Sequence, residues 1–585
     1  MKRPRRRLRL LGAGWLFLGL LPSAAAGQAE LSTVDGSVGT PGGRLVVALR
    51  SEPKTLNPAV AMDDASLTVI RRMMADLLHI DRHSQEVEPA LAKAWSRSPD
   101  GLRYRLELRE GLRFSDGHPV DAGDVLFSFE AYLDPETPSP SRGLLIVGGE
   151  PIRARRVGSR SVEFELAKPY AAGERLFDSL MILPEHHLRP ALEAGRLGEA
   201  WGLATAPTEI AGLGPFRLRE RSAGQRIVLE RNPHYWKVDR AGNRLPYLDE
   251  IVFVFVPGED AQVLRFLSGA TDVIDSISPK SFSLLEREQR RRGLDLRDLG
   301  PGLDISFLFF NLNDLSPEEH PKRVEKQAWF RSRAFRRAVS AAIDRQALLR
   351  LVYRGRATPL WSNVSPGNRF WFNPSIPEPP RSVERARELL RSAGFRWDPE
   401  GRLRDSAGVP VELSIATSSG NPERLEMATI LQNDLQELGM EVRVAPLEHR
   451  ALVDRVTRTF RYDAAILSIG GGDADPNPQM GLLVSDGNLH LWRLGGQSPL
   501  GPWQAEIDRL MRQQLTVLEA ADRKRLFDRV QALMAENLPA IFLVSPNVLV
   551  GARKELGGFR PAVLRHSTLW NAEQLFWRDE PKKRR

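Results

Sequence analysis

The sequence predicts an α/β protein with more than one domain. Three observations carry that reading. Val411, Leu413 and Ile415 alternate, a helical pattern runs from Asn421-Pro422 to Gly439, and Met440, Val442 and Val444 alternate again. Strand, helix, strand in that order is a βαβ unit, because a parallel pair needs a crossover of helix length. Tyr462 to Ile469 adds a strand that runs straight into Gly470-Gly471-Gly472-Asp473. Finally, 585 residues with 42% hydrophobic content and a mean hydropathy of −0.31 describe a water-soluble chain too long for one core.

Residues 1–9 carry Lys2, Arg3, Arg5, Arg6, Arg7 and Arg9 and no acid. Leu10 to Leu21 is apolar, Pro22 breaks it, and Ala24-Ala25-Ala26 offers a cleavage site. That grammar reads as an export signal over residues 1–26. The apolar run is shorter than the roughly 20 residues a membrane helix needs. With no cysteine in the chain, disulfides and a lipid anchor attached through Cys are excluded. A periplasmic protein is expected. The net charge of +9 sits largely at the ends, in residues 2–9 and Lys582-Lys583-Arg584-Arg585, so the body is close to neutral. No basic stripe for nucleic acid remains.

Past residue 42 the elements are legible in order. Gly43 to Leu49 alternates into a strand, and Pro53 and Pro58 hold the next segment extended. Leu102 to Leu108 alternates likewise, and residues 111–117 read as a second short strand ending in an Asp-Gly turn. Asp121 caps a helix over residues 121–129. Ile227 to Glu230 is a strand before Asn232-Pro233. Phe335, Ala338, Val339, Ala342 and Ile343 make one helix face, and Asp344 caps a further helix that Gly355 ends. Ser382 to Gly394 is another capped helix, and Leu425, Ala428, Leu431, Leu435 and Leu438 give the buried face of the helix inside the βαβ unit.

Several segments also resemble one family in the family's own order. GRLVVALRSEPKTLNP (Gly43–Pro58), PALAKAW (Pro89–Trp95) and the stretch Asp100–Phe129 come first. GLGPFRL (Gly212–Leu218), LERNPHYW (Leu229–Trp236), SGATDVID (Ser268–Asp275), FLFFNLN (Phe307–Asn313) and Phe330–Pro359 follow, then Tyr462–Leu467 and Asp475-Pro476. The chain resembles family 5 of the bacterial extracellular solute-binding proteins, the oligopeptide, dipeptide and nickel receptors of ABC importers. The resemblance implies a two-lobed periplasmic binding protein of three domains, hinged between the lobes. Domain I would take residues 30–64, 208–300 and 545–578, domain II residues 65–207 and domain III residues 301–544, with a basic tail at 579–585. It implies a monomer without a cofactor or nucleic acid. Its partners would be an inner-membrane permease and a di- or oligopeptide, a similar small solute, or a metal chelate.

In α/β sheets ligands sit beyond strand C-termini, which marks the loop after Ile469. In the peptide-binding members an aspartate from this loop pairs the peptide ammonium, and here it maps onto Asp473, with Asp475 the rival. A buried ammonium needs such a partner; the plain alternative is that these aspartates cap a turn. Glu52 falls where relatives touch the ligand backbone, Trp361 could line the cleft or the core, and Asn311 stands near the lobe crossover. No basic residue matches a peptide C-terminus, and Asn488–Ala505 departs from the oligopeptide pattern.

Rival functions lack their motifs. There is no G-x-S-x-G and no Walker loop, and Ser51-Glu52-Pro53-Lys54 matches S-x-x-K without a K-T-G. No H-E-x-x-H occurs, and the adjacent His186 and His187 are expected to point apart on a helix, so no metal site of the protein's own is expected. A chaperone or sensory role on the same fold is a third possibility.

Overall fold

The computed structural model describes residues 30–178, 180–471, 474–496 and 498–578. The expected export signal (1–26), Asp473 and the basic tail (579–585) lie outside the described residues. Among the described residues no helix is long and apolar enough to cross a membrane.

The βαβ unit forms as the pattern predicts. Glu412–Ser418 and Glu441–Leu447 pair in parallel, Glu412 opposite Glu441 through Ser418 opposite Leu447. Pro422–Gln436 is the crossover helix. The Asn421 side chain accepts the Arg424 N–H at 2.8 Å, which satisfies one orphan donor of the first turn. Gly439, at φ 83°, turns the chain out of the helix through a conformation a side chain would strain. The buried face is Met427, Ala428, Leu431, Leu435 and Leu438, with Leu425 half-buried at the rim. Ala464–Ile469 extends the sheet, parallel to Glu412–Ser418 and antiparallel to Ile305–Phe310.

The sheet continues into the other half of the molecule through one long strand, Ala540–Arg553. Its first residues pair with Ile305–Phe310, and its later residues pair with Leu294–Pro301 and Val273–Ile274. Arg44–Leu49 follows, burying Leu45, Val47 and Leu49, and pairs in parallel with Glu250–Phe255. Arg226–Arg231 and Phe216–Ser222 complete this edge. A separate antiparallel sheet orders Ala92–Arg97, Arg103–Leu108, Ser161–Glu165 and Arg153–Arg156. The helix Ala122–Leu133, closed at its start by a reciprocal Asp121–Asp124 capping box, packs on it.

Two large cores result. One gathers residues between 45 and 273 with residues 550–575, around Tyr104, Phe127, Phe164, Phe177 and Phe253. The other lies wholly within residues 305–544, around Phe307, Tyr462 and Trp492. Burying each such aromatic contributes about 1.5–3 kcal/mol.

One expectation fails locally, and one expected helix forms with a change of type. Residues 111–117 do not form a strand: only Arg113 bridges to Pro119, and the chain turns between them. The His118 carbonyl accepts the Phe114 N–H and the Asp116 carboxylate accepts the His118 N–H, so the turn uses the backbone groups a strand would need. The helix capped by Asp344 is α-helical only over Arg345–Ala347 and widens to a π-helix over Leu348–Val352.

Candidate functional site

A cavity of about 450 Å³ opens where the two cores meet, within the range of small-molecule pockets. Gly302, Leu303, Asp304 and Gly471 wall it from the second core's side. Asp64, Thr68, Asp275, Ser276 and residues 563–569 wall it from the first, and Pro546–Leu549 of the long shared strand run along it. This is where an α/β sheet presents its strand ends. Asp304 immediately precedes the strand Ile305–Phe310, and Gly471 follows Ala464–Ile469. The Gly471 N–H donates to Asp304 Oδ1 at 3.2 Å, tying the two strand ends together.

Among the described residues three carboxylates face this cavity: Asp64, Asp275 and Asp304. Asp275 and Asp304 touch cavity solvent yet are surrounded by protein, and that enclosure pushes both above the ordinary carboxylate range. Thr568 Oγ1 donates to Asp275 Oδ2 at 3.1 Å. Arg565 is the one guanidinium in the wall among the described residues. Ser276 (φ 50°) and His566 (φ 60°), both non-glycine residues in the left-handed region, also line the cavity. Such backbone costs of order 1 kcal/mol each and clusters at functional sites.

A second cavity of about 510 Å³ lies within the first half and shares His566 and Leu569 with the first cavity. Its wall carries Arg71, Arg72 and Arg82, and the Nε of each is buried without a hydrogen-bond partner among the described residues. Burial and the adjacent Arg71 pull Arg72 down to about 9, which still leaves it cationic at neutral pH. Arg72 Nη1 donates to the Leu569 carbonyl. Asp76, also in the wall, is pushed up by burial and by nearby Asp178. Asp178, just behind it, would rise through burial too, but Arg82 and His79 hold it below its ordinary range. On one side of His566–Leu569 the wall carries Asp64, Asp275 and Asp304 with Arg565; on the other it is mixed in charge, with Arg71, Arg72 and Arg82 set among Asp35, Asp76, Asp81, Glu88 and Glu573.

The halves touch around these chambers. Gln85 Nε2 donates to the Gly367 carbonyl at 3.1 Å, and the Ala171 N–H to the Leu515 carbonyl at 2.7 Å. Leu564 packs with Ile80, Leu303 and Ala474, contributions from both sides of the seam.

The residues singled out in the sequence occupy different places. The loop after Ile469 reaches the cavity at Gly471, and Asp473, two residues on, lies outside the described residues. Asp475 is almost fully buried, and both its oxygens accept from Arg523, at 2.9 Å each. Glu52 Oε1 accepts from Arg221 at 2.7 and 3.1 Å, and Oε2 from the Gly224 N–H at 3.2 Å. Asn311 is buried and donates to the Phe460 and Tyr462 carbonyls, each at 2.9 Å. Trp361 is half-buried under the Arg345 guanidinium, 5.4 Å from its ring centre. None of these four lines the interlobe cavity. Sequence reasoning missed Asp64, Asp275, Asp304 and His566. Asp275 ends the SGATDVID segment, which was the one available signal.

The model describing the bacterial extracellular solute-binding proteins, family 5 Middle, matches residues 86–490. The oligopeptide-binding protein AppA of Bacillus subtilis is 24% identical over 578 residues, covering 96% of this chain and 97% of its own. The substrate-binding protein CtaP of Listeria monocytogenes superposes with a TM-score of 0.75 at 21% identity, over 92% of this chain and 100% of its own. NikA of Brucella suis, solved with Fe(III)-EDTA, superposes with a TM-score of 0.73 at 22% identity, over 92% of this chain and 100% of its own. The fold is thus that of two-lobed periplasmic binding proteins, whose members bind solutes rather than transform them. With the family model matching well over half its length, the chain belongs to family 5 of the bacterial extracellular solute-binding proteins.

Proposed function

We propose that this protein is the periplasmic receptor of an ABC importer and captures a peptide or similar zwitterionic solute between its lobes for delivery to the membrane permease. One observation carries the choice of solute: on either side of His566–Leu569, one chamber sets Asp64, Asp275 and Asp304 against a single guanidinium among its described residues, and the other, mixed in charge, holds Arg71, Arg72 and Arg82 with Nε atoms that have no hydrogen-bond partner among the described residues. An ammonium is stabilised in the first and a carboxylate in the second. The family resemblance assigns the solute ammonium to Asp473. The protein works as a monomer, without nucleic acid. Ligand favours the closed form only through contacts the open form lacks; the Gln85–Gly367 and Ala171–Leu515 bonds set the geometry those contacts reinforce.

A second reading, capture of a chelated metal, is favoured by His566. Burial and the neighbouring Arg71, Arg72, Arg82 and Arg565 hold this imidazole well below its usual range, which favours its neutral form at the junction. Mass spectrometry of what co-purifies from the periplasm decides. A peptide mixture supports the first reading, a metal chelate the second, and a neutral sugar sinks both. With a peptide in hand, Asp473→Ala is expected to weaken binding more than about tenfold, or about 1.4 kcal/mol. Unchanged affinity by calorimetry removes Asp473 from the site. The same titration on Glu52→Ala and Trp361→Ala measures any share of ligand those residues keep.

A further inference from the structure

Four of the ten histidines, His118, His186, His187 and His234, gather around one turn, Asp116-Gly117, and line neither chamber. Contrary to the expectation for adjacent residues, His186 and His187 converge. They occupy the first turn of the helix Glu185–Glu193, and their Nε2 atoms stand 2.7 and 3.0 Å from the same oxygen, Asp116 Oδ2. All three atoms lie within 4.8 Å of one another.

The neighbours fix this arrangement. The other Asp116 oxygen, Oδ1, accepts the His118 N–H at 3.0 Å, which sets the carboxylate plane. The His186 ring stacks on His118 at 3.8 Å and an 18° tilt, and leans on Phe114 at 5.5 Å. Each of the three side chains is about a quarter exposed, so one side of the cluster is held by protein and the other faces water.

We propose that Asp116, His186 and His187 form a binding site for a divalent d-block cation of the Zn²⁺ class, separate from the interlobe cavity. Two imidazoles and one carboxylate are a donor set that suits Zn²⁺, Ni²⁺ and Cu²⁺ and disfavours Mg²⁺ and Ca²⁺, which want oxygen ligands. In a tetrahedron with metal–ligand bonds of about 2.0–2.1 Å, ligand atoms sit about 3.3 Å apart. The 2.7 and 3.0 Å spacings therefore need only a few tenths of an ångström of opening, which small ring rotations supply. The solvent side provides the fourth position as water. Without metal each Nε2 meets the Asp116 carboxylate as an N–H donor; on binding, the ring proton moves through solvent to Nδ1 and the freed Nε2 lone pair goes to the cation. The charged groups around the site include Arg113, which donates to the Gly117 carbonyl at 2.9 Å, Asp124, which accepts the Glu185 N–H at 3.2 Å and lies near His186, Glu185 on the same helix, and Arg217 and Arg244 beside His234. The other convergent cluster, Asp76, His79 and Asp178, is served by a cation already: Arg82 stands 3.8 Å from Asp178.

The test is calorimetry of chelator-treated full chain with ZnCl₂, alongside Asp116→Asn, His187→Gln and, as a cavity control, Asp304→Asn. One Zn²⁺ per chain is expected, weakened about tenfold or more by either of the first two changes and untouched by the third. Co²⁺ added to the unmodified protein should give the intense visible bands of a tetrahedral site, a readout that needs no variant. Absence of a Zn²⁺ heat together with an octahedral Co²⁺ spectrum overturns the proposal. So does Zn²⁺ affinity that survives in both Asp116→Asn and His187→Gln, or that falls only in Asp304→Asn.

Discussion

Replacing Asp475 with Asn tests whether this aspartate serves the fold or the ligand. Its carboxylate and the Arg523 guanidinium expose 4% and 5% of their side chains and meet through two bonds of 2.9 Å. Removing one partner of a buried pair costs about 3–5 kcal/mol, because the other charge stays buried. Arg523 keeps the Gln514 side chain at 2.7 Å, the Gln514 carbonyl at 3.1 Å, Asn477 at 3.2 Å and the Trp371 ring at 4.9 Å. These neutral partners place the cost at the low end, about 3 kcal/mol. For a cooperative unit of this size, 1 kcal/mol is about 2–4 °C, so Asp475→Asn should lower the melting temperature of the second lobe by roughly 6–12 °C. The assay is thermal unfolding followed by tryptophan fluorescence, with Trp371 as a local probe. The double change Asp475→Leu/Arg523→Met should recover most of the loss, since no charge is stranded. A melting shift under about 2 °C, with ligand affinity reduced, would refute the structural role.

Three further outcomes are expected. Burial and the nearby Arg493 pull His490 down to about 4, against the support of the Leu482 carbonyl and nearby carboxylates, so it stays neutral in the fold while the unfolded chain protonates below about 6.5. The unfolded state then binds more protons, and stability falls as pH drops from about 6.5 to about 4, by on the order of 3 kcal/mol; urea unfolding of His490→Gln should lose most of that slope. A Cβ at Gly212 would sit 2.0 Å from the Met73 carbonyl oxygen, a backbone atom that cannot step aside, so Gly212→Ala should cost about 1–3 kcal/mol or more in denaturant titration. Leu564→Ala removes the apolar contact with Ile80, Leu303 and Ala474 at the lobe seam, and small-angle scattering should show a larger radius of gyration without ligand; an unchanged radius would mean the seam does not depend on it.

Periodicity and caps made the helices and strands legible. The Pro422–Gln436 helix announces itself through Asn421, Pro422 and Gly439, all local. Residues 111–117 misled because an Asp-Gly turn and a pair of apolar residues are shared by a strand end and a plain turn. The site was less legible, since its chemistry is assembled across the chain. Asp64 reads locally as a first-turn helix residue and Asp304 as a residue before a strand, and only the fold brings them to one cavity. Asp475 was a site candidate through the family resemblance and its place beyond Ile469, and nothing local announces its partner Arg523, 48 residues away. The convergence of His186 and His187 depends on an acceptor, Asp116, that lies 70 residues earlier.

The two cores also differ in when they can be completed. The second is closed by residues 305–544, an uninterrupted stretch, and can gather as soon as that stretch is free. The first needs partners from opposite ends: Arg72 meets the Leu569 carbonyl across 497 positions, and Val550, Ala552, Leu556 and Leu575 finish its packing. Closing so long a loop is entropically slow, though its added cost grows only logarithmically with length. The half that carries the arginine chamber is therefore expected to mature last. Until residues 550–575 dock, its apolar faces stay open, and a chain shortened by a few dozen C-terminal residues should keep a folded second half attached to an unfinished, aggregation-prone first.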